Sequence, residues 1–135
     1  MTLVVCLDDN NGMMFNKRRQ SADRMVDQAV LELSAEGKLY IDSYSAKKFP
    51  DACLLDGDHS SLFFDNDVCF AETAYAVTAS LHYADRIIIY RWNKIYPADM
   101  YLPIDLTASA WKKLQTTELT GYSHEKITQE VYIRE

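Results

Sequence analysis

The chain has 135 residues, 14 basic and 20 acidic, and carries a formal net charge of −6. That balance excludes the usual nucleic-acid binder, which needs a continuous basic surface to displace counterions. A composition that is 48% hydrophobic, with only 4 Gly and 3 Pro, excludes a disordered chain and fits a single domain over residues 1–135 with a buried core.

Thr2–Leu7 is a continuous apolar run closed by Asp8-Asp9-Asn10-Asn11-Gly12. It predicts a central strand buried on both faces, then a loop. The run is too short for a signal-peptide core or a membrane span and has no basic flank, so a soluble cytoplasmic protein is expected. Cys6, Cys53 and Cys69 each sit in an apolar run, odd in number and without a Cys-x-x-Cys pair. Reduced, packed thiols are expected, with a nucleophile or metal ligand as the sharper alternative.

Ser21 is a candidate helix cap, because Ala22, Met25, Val26, Ala29, Val30 and Leu33 recur at helical spacing before Glu36-Gly37. Lys38–Asp42 reads as a second strand, and Ser43–Phe49 as a helical turn stopped by Pro50. Ala52–Asp56 reads as a third strand, Gly57–Ser61 as loop, and Asp67–Glu72 as a fourth strand. Thr73–Ala84 is rich in Ala and Leu and predicts a helix; Arg86–Trp92 predicts another strand. Strands alternating with helices imply a mostly parallel α/β sheet flanked by helices. From Tyr101 onward, with alternation in Lys126–Ile133, antiparallel edge strands are expected.

Two segments offer chemistry on their residues alone. Met13–Ser21 carries Lys17, Arg18 and Arg19 in an acidic chain. It is a candidate site for a small phosphorylated ligand or for the acidic surface of a second subunit, as in a homo-oligomer; the plain alternative is a solvated loop. Asp56-Gly57-Asp58-His59 resembles part of the His-x-His-x-Asp-His set of metallo-hydrolases, but the first two histidines are absent. Zinc catalysis needs three protein ligands, so no metal site is expected.

The C-terminal third has a specific order of landmarks: Ala84-Asp85, the strand Arg86–Trp92, Asp99-Met100-Tyr101-Leu102-Pro103, Trp111, then Ser123-His124 and Glu130-Val131-Tyr132. This order resembles the dihydrofolate reductase family. Leu3–Leu7 with Asp8, Asn10, Met13 and Met14 is similar to the family's opening strand and turn, and Val68–Ile89 to its Gly-Gly strand and following helix. The resemblance covers most of the chain, with residues 50–66 shorter than the family. It implies a dihydrofolate reductase-like fold.

Carried over position by position, the resemblance puts Val26 where the family has its catalytic acid. Asp27 points about 100° away on a helix, while Asp23, one turn earlier, is the local carboxylate nearest the same face. Gln20-Ser21 stands for the family's Pro-Trp pair, and Asp42-Ser43-Tyr44-Ser45 for its phosphate-binding Gly-Arg-x-Thr turn. Glu72-Thr73 stands for the Gly-Gly pair that admits the cofactor pyrophosphate. These departures imply that NADPH is not a cofactor and that pterin reduction is lost. Ser43 and Ser45 keep donors that an anion could use, although Ser43 could simply cap the turn.

The former substrate cleft would be walled by Val4, Cys6, Val26, Val30, Phe49 and Tyr90. It is either filled core or a site for a small flat apolar ligand. The expected function is therefore small-ligand binding or protein association. The alternative is an enzyme of changed chemistry, such as a reductase of a different small molecule, using Asp23, Cys6 or Tyr90 with a substrate held by Arg18 and Arg19. Exposed Trp92 or Tyr96 at the sheet edge would favour association.

Overall fold

Strand β1 (Thr2–Leu7) divides its side chains between two faces, as a period of two requires. Leu3, Val5 and Leu7 enter one buried cluster, Val4 enters a second, and Cys6 packs beside that second cluster. The computed structural model describes residues 1–55, 63–108 and 110–135. After β1 come β2 (Gly12–Phe15), β3 (Arg18–Arg19), α1 (Arg24–Leu33), β4 (Leu39–Ile41), β5 (Cys53–Leu54) and β6 (Val68–Phe70). They are followed by α2 (Ala74–Ser80), β7 (Arg86–Arg91), β8 (Met100–Tyr101), β9 (Trp111–Leu119) and β10 (Ile127–Arg134). Single 3₁₀ turns lie at Ser43–Ser45 and Leu81–Tyr83.

The main sheet runs β5-β4-β6-β1-β7-β10-β9. Its first five strands are parallel, while β10 is antiparallel to β7 and to β9. This is the mostly parallel α/β sheet with antiparallel strands at one edge that the sequence implied. Helix α1 buries Val26 and Val30 against Val4, Phe70 and Tyr90 on one face. Helix α2 buries Ala76 and Val77 against Leu3, Val5 and Ile87 on the other. Each fully buried Val, Leu or Ile contributes about 1.5–3 kcal/mol relative to exposure, and the two cores fix the helices on opposite faces. Edge strand β9 stays largely exposed, with Lys112, Lys113 and Glu118 opposing further strand addition.

Local differences from the sequence expectation have physical causes. Asp23, not Ser21, caps α1, because its carboxylate reaches the Met25 N–H at 2.8 Å. Thr73 caps α2 from outside the helix, and the expected long helix gives way to the 3₁₀ turn after Ser80. Of the expected strand Ala52–Asp56, Asp56 lies outside the described residues and Cys53–Leu54 form the strand, both exposed, so Cys53 is not a packed core thiol. Met13–Ser21 is not an open loop. Asn16 (φ 53°) and Lys17 (φ 62°) are both left-handed, which turns β2 back onto β3 as a two-residue hairpin of primed type. The second edge of β2 pairs with β8, giving a small three-stranded sheet.

The Gly57–Ser61 loop and His59 lie outside the described residues. Among the described residues, no three metal-ligating side chains converge, and no helix is long and apolar enough to cross a membrane.

Candidate functional site

Strands β1 and β6 are adjacent and parallel, yet β1 leads to α1 on one face and β6 to α2 on the other. The crevice beyond their C-terminal ends is the topological switch point, where open α/β sheets hold ligands. The residues there are Asp8 after β1, Glu72-Thr73 after β6, and Asp42–Ser45 after β4, with the β2–β3 hairpin bringing in Arg19.

Asp8 is served by Asn10, Gly12, Gln20 and Tyr96, and the other groups are joined to one another. Arg19 donates through Nε and Nη2 to the two oxygens of Glu72, at 2.6 and 2.9 Å. Ser45, fully buried, donates its hydroxyl to Glu72 Oε1 at 2.7 Å. The Arg19 guanidinium also lies over the Tyr44 ring, 4.9 Å from its centroid, and the Arg19 N–H donates to the Tyr44 hydroxyl. The Glu72 hydrogen bonds hold the guanidinium pKa above its ordinary value. Asp42 accepts from the Thr73 hydroxyl at 2.5 Å and from the Tyr44 N–H at 3.1 Å.

Two N–H groups in the first turn of α2 are likewise engaged from within. The Ala74 N–H donates to the Met100 sulfur, and the Ala76 N–H to the Thr73 hydroxyl. A phosphate arriving here would find these N–H groups engaged and two carboxylates, Asp42 and Glu72, in its way.

Arg19 is therefore drawn inward and paired with Glu72, apart from the exposed Arg18. The Ser45 hydroxyl serves Glu72. Arg18, Lys17 and Ser43 remain exposed.

The space between β1 and α1 is packed with side chains. Val4, Val26 and Val30 are buried, and Tyr90 is only 1% exposed, its hydroxyl accepting from the Gln129 amide at 3.1 Å. Burial pushes the Tyr90 phenol up, so it holds its proton. Cys6, beside Tyr90 across the β1–β7 register, is partly reached by solvent yet ringed by protein. Burial first, then the Glu72 and Asp27 carboxylates, push its thiol well above the ordinary range, against Lys48 and Arg19. Lys48 ties Asp27 of α1 to the segment after β4 at 3.0 Å. Val4 offers no open wall for a flat ligand. Phe49, by contrast, lines a surface cavity of about 310 Å³ with Leu31, Leu39 and Pro50.

Asp23 turns away from the cleft toward the turn between β9 and β10. Its Oδ1 accepts from the N–H of Met25 and Tyr122, at 2.8 and 2.9 Å. Its Oδ2 accepts from the N–H of Ser123 and His124 and from His124 Nδ1, at 2.9, 3.0 and 2.9 Å. Burial alone would raise this carboxyl, but the Tyr122 N–H, the imidazole and the other donors outweigh it and hold Asp23 far below the usual carboxylate range. Asp23 is thus engaged by the turn between β9 and β10 and does not face the space between β1 and α1. On the far side of the same imidazole, His124 Nε2 lies 2.9 Å from Ser21 Oγ. Trp92 is buried and stacked on the His124 ring at 4.7 Å, so it is not the exposed edge aromatic that would favour association.

The Arg19–Glu72 pair and the Ser21–His124–Asp23 chain were not anticipated. The first had a signal: the basic Lys17–Arg19 run and the acidic Asp42 and Glu72 carry opposite charge, which invites pairing. The second rests on a contact across some hundred residues that no local pattern encodes.

No family model matches the chain, and no curated protein matches it. Solved structures do. The chain superposes on dihydrofolate reductase from Enterococcus faecalis, complexed with NADP(H) and RAB-propyl, with a TM-score of 0.75 over 98% of this chain and 95% of that one. Identity is 11%, so the likeness shows a dihydrofolate reductase-like fold.

Proposed function

We propose that this dihydrofolate reductase-like chain does not reduce substrates with a nicotinamide cofactor and acts instead by binding a small ligand or a protein surface. The observation that carries the proposal is the Arg19–Glu72 pair at the switch-point crevice, locked by Ser45. The crevice where a dinucleotide would lay its phosphates is filled by the protein's own charges, and the Ala74 and Ala76 N–H groups of α2 are engaged by Met100 and Thr73.

A small phosphorylated ligand would meet the exposed Lys17 and Arg18 of the hairpin. A flat apolar one would have the cavity beside Phe49 instead of the packed Val4–Tyr90 cleft. All three cysteines are unpaired, which fits a reducing, cytoplasmic setting. The competing idea of an enzyme in the former cleft finds Cys6 and Tyr90 both held protonated by burial and Asp23 turned away.

The test is an NADPH oxidation assay with dihydrofolate, on the wild type and on an Arg19→Met variant that frees the crevice. Rates equal to the blank are expected from both. Dihydrofolate-dependent oxidation by the wild type would overturn the proposal.

A further inference from the structure

We propose that Ser21 is a nucleophile, with His124 as its general base and Asp23 as the positioning residue, able to accept the acyl group of a small activated carboxylic ester. This goes beyond the binding function and does not depend on it. Three contacts in series carry it. Asp23 Oδ2 lies 2.9 Å from His124 Nδ1, and His124 Nε2 lies 2.9 Å from Ser21 Oγ. An ionised carboxylate can only accept, so Nδ1 carries the imidazole proton and Nε2 presents its lone pair to the serine hydroxyl. This is the geometry by which a base activates a serine, and it is recognised by roles and distances, not by position in a chain.

The surroundings fix the arrangement. The imidazole is stacked on buried Trp92, with its ring planes 25° apart. The Asp23 side chain is fully buried, whereas Ser21 is only half-buried. Gly121 is required by close approach: a Cβ there would collide with the His124 carbonyl and lie 2.8 Å from Asp23 Oδ2. An open depression of about 610 Å³ adjoins His124 and is lined by Trp92, Lys94 and Lys126, with Glu125 at the same rim.

In the reaction, Ser21 Oγ bonds to the ester carbonyl carbon as its proton passes to His124 Nε2, with Asp23 facing the imidazolium. The C–O bond to the leaving group then breaks, the leaving group takes that proton or departs as its anion, and acyl-Ser21 remains until water releases the acid. The N–H groups of Tyr122, Ser123 and His124 are all spent on Asp23, so that turn supplies no oxyanion donors. Only esters with good leaving groups should react, and slowly.

The experiment treats the full chain with a fluorophosphonate probe and with p-nitrophenyl acetate, and locates adducts by peptide mass spectrometry. One adduct per chain on Ser21 is expected from the fluorophosphonate. It should be absent in Ser21→Ala, slowed about a hundred-fold or more in His124→Gln, and lost when the wild type is unfolded in urea. The urea arm decides the matter even if His124→Gln fails to fold. No adduct on Ser21, or labelling at the same rate in urea or in His124→Gln, would overturn the proposal.

Discussion

Arg19 meets Glu72 through two parallel hydrogen bonds of 2.6 and 2.9 Å, across the ends of strands that a ligand would otherwise approach. A fork-to-fork pair of this kind is the stronger, directional form of an ion pair. Its partner Ser45 and its cover Tyr44 both come from the turn after β4. One interaction thus ties the β2–β3 hairpin, the end of β6 and the turn after β4 into a single unit.

Replacing Arg19 with Met leaves the Glu72 carboxylate buried with only Ser45 to serve it. Breaking a fully buried pair costs about 3–5 kcal/mol, but the Arg19 side chain is 31% exposed and solvent screens part of the loss. A destabilisation of about 2 kcal/mol is expected by urea unfolding. Adding Glu72→Gln to Arg19→Met should cost less than the two single changes summed, with a coupling of at least about 1 kcal/mol. Strict additivity would show that the pair is incidental.

Acid should expose the role of Asp23. Its folded carboxyl is held far below the ordinary value, so its contribution is fully present above the unfolded pKa of about 3.9 and is lost as pH falls from there toward the folded value. Asp8 adds to the same limb. Burial raises it, but the N–H groups of Gly12, Tyr96 and Asn10 and the Gln20 amide outweigh burial and hold it low. Asp23→Asn should lower stability near neutral pH by about 2–3 kcal/mol, since an amide cannot accept from all those donors. The difference from wild type should narrow below pH ~4. A constant difference down to strong acid would contradict the linkage.

Thiol reactivity should rank by environment. Cys53 is exposed, whereas burial pushes Cys69 up to about 12, and burial with two neighbouring carboxylates pushes Cys6 higher still. An alkylating reagent on the native chain should modify Cys53 first and leave Cys6 and Cys69 intact until unfolding, as read by mass spectrometry. Early loss of Cys6 would mean that its cleft opens.

Much of the sheet was legible because its signals are local. Thr2–Leu7 and Arg86–Trp92 are apolar runs that only a doubly covered strand explains, and the strand–helix alternation implies the parallel order. The hairpin at Asn16-Lys17 was not legible, because the primed turn usually announces itself with Gly, and Lys17 adopts φ 62° without it. The helix cap slipped from Ser21 to Asp23 because the choice depends on Tyr122, Ser123 and His124, which arrive from the far end of the chain. At the site, Glu72 and Asp42 were readable as hostile to phosphate. That Arg19 would turn inward to meet Glu72 depends on the hairpin, and so was hidden with it.

The central claim is that the switch-point crevice is closed to a dinucleotide by Arg19, Glu72, Ser45, Asp42 and Thr73. Thermal unfolding of the wild type across a titration with NADPH tests it most directly. A ligand at one hundred times its Kd stabilises the state it binds by about 2.7 kcal/mol, several degrees in a domain of this size. The account predicts no shift up to saturating NADPH. A rise of several degrees that saturates with concentration, in a protein whose Arg19–Glu72 pair is intact, would contradict it.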